Sequence, residues 1–295
     1  MTEEDIQTVF YRVLIEQSQG HETRQHLFIE LEKKLGRPVI SFFTSFSMPV
    51  MIDDSDVGLL EGILQEVNLE NGLVLILSSP GGQTLAAERI INVCRSYSGT
   101  GDYWVVVPNK AKSAATLICF GASKVFMAQN SELGPVDPQL VIEREGEAPQ
   151  RFSVYNVVHS YDSLFERAVA ETGRIEPYLQ QLEHYDEREV SEMRAALELS
   201  EDISIRTLKS GMMSAQDEET IKKKIGVFLT PEYTKTHGRP IFRAEAKGCD
   251  LEVEEVDVKD DLWKLVFELW VRTDNFVSTR VAKCFESKDV SFAHP

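Results

Sequence analysis

An α/β fold on a parallel sheet, carrying a helical elaboration in its C-terminal half, is the architecture that this 295-residue sequence predicts. Three observations lead there. Apolar β-type runs at 39–43, 73–77 and 103–107 each break into a turn and then a stretch with helical apolar spacing. That strand–turn–helix unit repeats three times over about 90 residues, the pattern of stacked β-β-α turns on a parallel sheet. Beyond Pro138 the texture changes to long charged helices, with no low-complexity linker between the two regions.

Residues 1–36 read as amphipathic helix closing at Gly36-Arg37-Pro38, followed by the first β-type run. Asp56 is a candidate N-cap for a helix over 57–67, whose Leu59, Leu60, Ile63 and Leu64 form one apolar face. After the run at 73–77, a helix over 84–97 places Ala86, Ile90, Val93 and Tyr97 at helical period. A helix over 113–120 and a short strand over 124–127 follow the run at 103–107. Residues 143–151 are charged and loop-like, 152–213 almost wholly helical, and 214–247 suggest two shorter helices around His237-Gly238-Arg239-Pro240. A last strand is expected at 251–253, and Trp263, Val266, Leu269 and Trp270 make a helical stripe read as core or oligomer contact, core preferred. The chain thus divides into an N-terminal helical segment (1–36), a main domain (37–250) and a C-terminal strand and helix extension (251–295).

Composition narrows the function classes. Hydrophobic content of 42% and charged content of 27% are those of an ordinary globular protein. With 31 Lys+Arg against 48 Asp+Glu the net charge is −17, which would repel a phosphate backbone, so nucleic acid is not an expected partner. Met1-Thr2-Glu3-Glu4-Asp5 lacks the basic and apolar regions of a signal peptide, and no apolar run approaches the ~18 residues of a membrane span. A cytoplasmic protein is expected. Cys94, Cys119, Cys249 and Cys284 show no CxxC spacing, and the six histidines do not cluster at metal-ligand spacings. Neither a metal nor a cofactor is expected.

Two motifs carry chemistry. The run at 73–77 ends in Ser78-Ser79-Pro80-Gly81-Gly82, and the run at 103–107 leads to Ser113-Ala114-Ala115-Thr116. Each occupies the same point of successive strand–helix turns, so parallel pairing sets them side by side at the carboxyl ends of the strands, where ligands gather in such sheets. A hydroxyl opening a helix beside a diglycine turn supplies a nucleophile and an oxyanion hole together. Taken singly, either motif also suits a bland role, Ser113 as a helix N-cap and the glycines as a tight turn. No phosphate-loop spacing is present.

Over roughly residues 35–250, the segments Ser79–Gly82, Ser113–Ile118 and Gly134-Pro135-Val136-Asp137-Pro138-Gln139-Leu140 resemble the serine-peptidase branch of the Clp-protease/crotonase superfold. The resemblance is to the serine dehydrogenase proteinase family, related to signal-peptide peptidase A and the stomatin-partner proteases; His237–Ile241 fits the same family. It implies a spiral of β-β-α units, Ser113 as nucleophile, and the N–H groups of Gly82 and Ala114 as oxyanion hole. Relatives form rings or dimers, which implies a homo-oligomer through surfaces such as 152–200 or 260–271.

The Clp proteases carry a catalytic histidine where this chain has Gly134–Leu140 without one, and the lysine of membrane-associated relatives is absent too, since none lies between Lys124 and Lys209. Two bases are therefore candidates. His159 follows the Pro138 turn, and an imidazole suits general-base work near neutral pH. Lys209 would need burial to act. Lys110 and Lys112 flank the nucleophile, and Asp137 can orient a base or cap a turn. The resulting expectation is a serine endopeptidase acting on a peptide or protein substrate through an acyl-enzyme on Ser113. Two alternatives stand beside it: a non-catalytic peptide- or partner-binding subunit on the same fold, and a crotonase-like acyl-CoA enzyme, against which the lack of a basic phosphate pocket weighs.

Overall fold

In the computed structural model, residues 8–16, 20–142 and 150–294 are described. The stretch read as one helix over 1–36 forms, within those residues, α1 (Val9–Ile15), a 3-10 turn (His21–Thr23) and α2 (Gln25–Leu35). Helix α2 closes on Gly36 at φ 69°, where a side chain would be strained. Then come β1 (Val39–Thr44), α3 (Asp54–Glu66), β2 (Leu73–Ser78), α4 (Thr84–Tyr97), β3 (Tyr103–Val107), β4 (Lys110–Ala111), α5 (Ala114–Gly121), β5 (Lys124–Met127) and β6 (Glu132–Leu133).

A hairpin, β7 (Gln139–Ile142) and β8 (Gln150–Ser153), leads into α6 (Val154–Ala170), α7 (Glu176–Leu182) and α8 (Glu187–Lys209). The expected charged loop between those two strands falls largely on 143–149, outside the described residues. Short helices α9 (Glu218–Lys224), α10 (Gly226–Leu229) and α11 (Pro231–Thr234) precede β9 (Ile241–Phe242), α12 (Arg243–Gly248) and β10 (Val253–Glu255). The chain continues through α13 (Asp261–Thr279), β11 (Lys283–Glu286) and β12 (Ser291–His294).

Seven strands form the main sheet in the order β10-β5-β3-β2-β1-β11-β12. The pairs from β10 to β1 are parallel, and β11 and β12 add antiparallel. Strands β1 and β2 are buried at every position, as parallel strands covered on both faces must be. Ile40, Phe42, Leu73, Leu75 and Leu77 face α3, α4 and α5, whereas Val39, Phe43, Val74 and Ile76 face α2 and α13. Trp263, Val266 and Leu269 lie in that second core, so the C-terminal stripe packs inward along those positions. Residues 251–294 are woven into the main sheet at both edges, carrying three strands rather than one. All four cysteines are buried free thiols.

Asp56 does not cap α3. Asp53 is the N-cap, accepting from Ser55 N, and Asp56 at N3 reaches back to Asp53 N at 2.9 Å, which completes a capping box. Lys283, buried on β11, donates to Asp53 Oδ2 at 2.6 Å and to both Asp56 oxygens at 2.9 Å. Burial pushes the Asp53 carboxyl up, but the bonds from Lys283 and Ser55 outweigh it and hold it at about 2. Its folded value lies below its unfolded one, so the stabilisation is present above pH 3.8 and is lost as pH falls towards 2. Replacing Lys283 with methionine leaves Asp56 buried beside a second carboxylate. The expected loss is about 3–5 kcal/mol, read as a lower urea midpoint.

Candidate active site

Ser113 is the residue between β4 and α5, at φ 50° and ψ −120°. Only glycine adopts that conformation readily, so the side chain is held at a sharp strand-to-helix turn at a cost of about 1–3 kcal/mol. Among the described residues nothing hydrogen-bonds Ser113 Oγ. Gly81, at φ 101°, explains how the turn is accommodated. A Cβ there would lie 2.5 Å from Lys112 O and 2.6 Å from Ser113 Cβ, so the first glycine of the pair lies directly against the serine. Gly82 meets a different neighbour. It pairs in parallel with Ile52, and a Cβ on it would come within 2.1 Å of Ile52 O.

The two N–H groups expected to hold an oxyanion are both without a protein acceptor among the described residues. Gly82 N is skipped by the Ile52 pairing, which uses Gly81 O and Gln83 N. Ala114 N is the first amide of α5, one of the helix-end donors that no intrahelical carbonyl can satisfy. Gly81→Ala is expected to unfold this turn locally, because a methyl there collides with backbone that cannot move without shifting Ser113. A lower urea midpoint together with lost reactivity of Ser113 checks this.

A small second sheet, β4-β6-β9, frames the site. Ala111 pairs in parallel with Ser79 on one side and Leu133 on the other, and Leu133 pairs antiparallel with Ile241. Two residues beyond Ala111 stands Ser113; four beyond Leu133 stands Asp137; four before Ile241 stands His237. All three therefore emerge at one end of the small sheet. Thr116 fastens the corner: its buried hydroxyl, with one proton to give, lies 2.8 Å from Ala111 O and 3.0 Å from Gly134 O and accepts from Gly134 N–H at 3.1 Å.

Asp137 is fully buried and partnered on both oxygens. His237 Nδ1 lies 2.7 Å from Oδ1, while Gln139 Nε2 and Ser153 Oγ each donate to Oδ2 at 2.9 Å. With Nδ1 committed to the carboxylate, Nε2 is the ring nitrogen that remains, and His237 lines a groove of about 370 Å³. Ser113 Oγ and His237 are not hydrogen-bonded to each other.

The bases expected from the sequence stand elsewhere. His159 is exposed on α6 and stacked on Tyr155 at 5.8 Å, and it is not among Asp137's hydrogen-bond partners. Lys209 spends its ammonium on Ser214 O and Gln216 O, at 3.2 and 2.5 Å. Lys112 is turned back onto Glu132 and Leu133 O, both at 3.0 Å; burial lowers its pKa and Glu132 opposes the shift. The histidine in contact with Asp137 is His237, not His159. Gly81, Thr116 and Gln139 stand inside the motifs read from the sequence but without these contacts, and Ser153 stands outside them, since the contacts exist only once the two sheets are assembled. Among the described residues no cluster of His, Cys, Asp or Glu could hold a metal ion, and no helix is long and apolar enough to cross a membrane.

Residues 11–158, half of the chain, match the profile of the ClpP-like SDH-type serine proteinases. Uncharacterized protein MJ0137 of Methanocaldococcus jannaschii is 37% identical over 108 residues, which is 36% of this chain and 33% of that protein. Uncharacterized protein MJ1495 of the same organism is 33% identical over 109 residues, 36% of this chain and 32% of its own. The chain thus spans about a third of the length of the curated relatives it matches. Among solved structures, a mutant of the 1510-N membrane-bound stomatin-specific protease overlays 70% of this chain and 92% of its own at 15% identity and a TM-score of 0.31. A second mutant of that protease, in complex with a substrate peptide, overlays 76% of this chain and 94% of its own at 17% identity and a TM-score of 0.30.

Proposed function

The chain belongs to the ClpP-like SDH-type serine proteinases, and from that premise we propose that it hydrolyses internal peptide bonds through an acyl-enzyme on Ser113, with His237 as general base. The observation that carries this reading is the 2.7 Å contact between His237 and the buried Asp137, at the end of the small sheet from which Ser113 also emerges. Ser113 Oγ attacks the substrate carbonyl while His237 Nε2 takes its proton. The carboxylate of Asp137 holds the ring by Nδ1–H and stabilises the imidazolium that forms. The negative oxygen of the tetrahedral intermediate accepts from Gly82 N–H and Ala114 N–H, donors preorganised by a strand pairing and a helix start. Collapse passes the proton to the leaving amine, and water, activated by the same imidazole, releases the acid.

Each donor of an oxyanion hole typically contributes about 3 kcal/mol to lowering the barrier, so two of them account for a large part of such catalysis. The test is covalent labelling of the full chain with a fluorophosphonate, followed by mapping of the modified peptide. Label on Ser113, abolished by prior denaturation, is the expected result. A native chain that takes no label at Ser113, while a control serine peptidase is labelled to completion, removes the acyl-enzyme and leaves a binding subunit on a peptidase fold.

A further inference from the structure

We propose that the trough running from His237 along helix α6 binds an acidic segment of the polypeptide being cleaved. The inference rests on the peptidase reading above, since it makes the trough an extension of that site. Two adjoining cavities, of about 370 and 540 Å³, share Asn156, Ser160 and Tyr185 and so form one continuous depression. His237 lies at one end. At the other, Arg167 and His184 face each other across α6 and the turn following α7. Asn156, Ser160, Ser163 and Arg167 are spaced by four, three and four residues, hence on one face of α6. From Asn156 to Arg167 the helix rises about 16 Å, the reach of about five residues of extended peptide.

The charge of that lining is what identifies the occupant. Arg151, Lys235, Arg167, His159 and His184 border it, and among the described residues no Asp or Glu does. This is unusual in a chain with 48 acidic residues. Among the described residues Arg151, Arg167 and Lys235 have no carboxylate partner. Several basic side chains elsewhere are paired, Arg206 with Glu88 and Asp202 and Arg272 with Glu16 and Glu268, while others such as Lys223, Lys259 and Arg280 have no ion pair among the described residues. Arg167 instead lies over the Tyr178 ring, and Lys235 donates to the backbone oxygen of Glu232. Three cations left free at the rim of a polar trough match carboxylates on an extended chain, with Asn156, Ser160 and Ser163 available to its amides. The net charge of −17 does not decide against this. At physiological ionic strength the Debye length is about 8 Å, so a ligand seated in the trough responds to its walls rather than to the far surface.

Binding is read on the full chain carrying Ser113→Ala, by fluorescence anisotropy with labelled octaglutamate, octaglutamine and octalysine peptides. Octaglutamate is expected to bind at least about tenfold more tightly than octaglutamine, and to weaken with salt. The triple variant Arg151→Gln, Arg167→Gln, Lys235→Gln, verified as folded by circular dichroism, should lose that preference. Lys259→Gln, an exposed lysine elsewhere, should keep it. Equal binding of the two peptides, or a preference that survives in the triple variant, overturns the proposal. So does an oligonucleotide or an anionic vesicle that binds as tightly as octaglutamate, or an oligomer of the chain that octaglutamate disperses.

Cleavage separates this outcome from that of the underlying reading. A fluorogenic peptide with glutamates on one side of the scissile bond should show a KM about tenfold below its glutamine counterpart at unchanged kcat. Fluorophosphonate labelling at Ser113 together with equal KM values overturns the trough alone. Absence of labelling, with the octaglutamate preference intact, overturns the peptidase reading instead.

Discussion

His237→Gln should lower kcat/KM for peptide hydrolysis by about four orders of magnitude while leaving the fold intact. Glutamine is of similar length and its amide can still donate to Asp137 Oδ1, so the buried carboxylate keeps a partner and the small sheet keeps its register. What is lost, on the proposed mechanism, is an atom that accepts the Ser113 proton and returns it to the leaving amine. Asp137→Asn should fall nearly as far for a different reason. An amide at that position presents N–H groups or a weaker acceptor to Nδ1, and the ring then favours the tautomer with its proton on the wrong nitrogen. Because the three groups act as a unit, pairing His237→Gln with Ser113→Ala should cost little more than Ser113→Ala alone. His159→Gln and Lys209→Met serve as controls and should remain near wild type. Wild-type acylation in His237→Gln, or a loss confined to Lys209→Met, would return the base to one of the positions that the sequence alone suggested.

That the sequence pointed to candidates other than His237, the base proposed here, has a physical cause. Ser113 and the diglycine were legible because each belongs to a local unit, an apolar run with a turn behind it, and local units repeat. Asp137 stood out from the motif around it, as a residue that could orient a base or cap a turn. Its histidine lies 100 residues further on, and the link between them is the pairing of β6 with β9, two strands of two residues each. No periodicity announces strands that short. The same limit explains the glycines. The sequence reading gives the donor role to Gly82 and none to Gly81, yet it is Gly81 that lies against Ser113, with Gly82 against Ile52, a residue from the loop after β1. It also explains Asp56, which the apolar spacing of α3 nominated as a cap when the first helical turn reaches back to Asp53. The helical second half was legible as helix but not as a trough, because the polar positions of α6 gain meaning only opposite Lys235 and α7.

Ser113→Gly should make the protein more stable as it becomes inactive. At φ 50° and ψ −120° a serine pays for its Cβ in backbone strain, about 1–3 kcal/mol, which a glycine at the same angles does not incur. Against that relief stands the larger conformational entropy that glycine loses on folding, about 0.5–1 kcal/mol. The expected balance is a gain of about 1 kcal/mol, seen as a rise of about 0.3 M in the urea midpoint at unchanged slope. Ser113→Ala keeps the Cβ and with it the strain, so its midpoint should stay near that of the wild type. Both substitutions remove the nucleophile, and both should lose hydrolysis by about five to six orders of magnitude. The pair of variants therefore separates two properties of one residue: activity needs Oγ, and the strain comes from Cβ. Should Ser113→Gly prove no more stable than Ser113→Ala, the turn is not strained at Ser113, and the case for a side chain held there against conformational preference is lost.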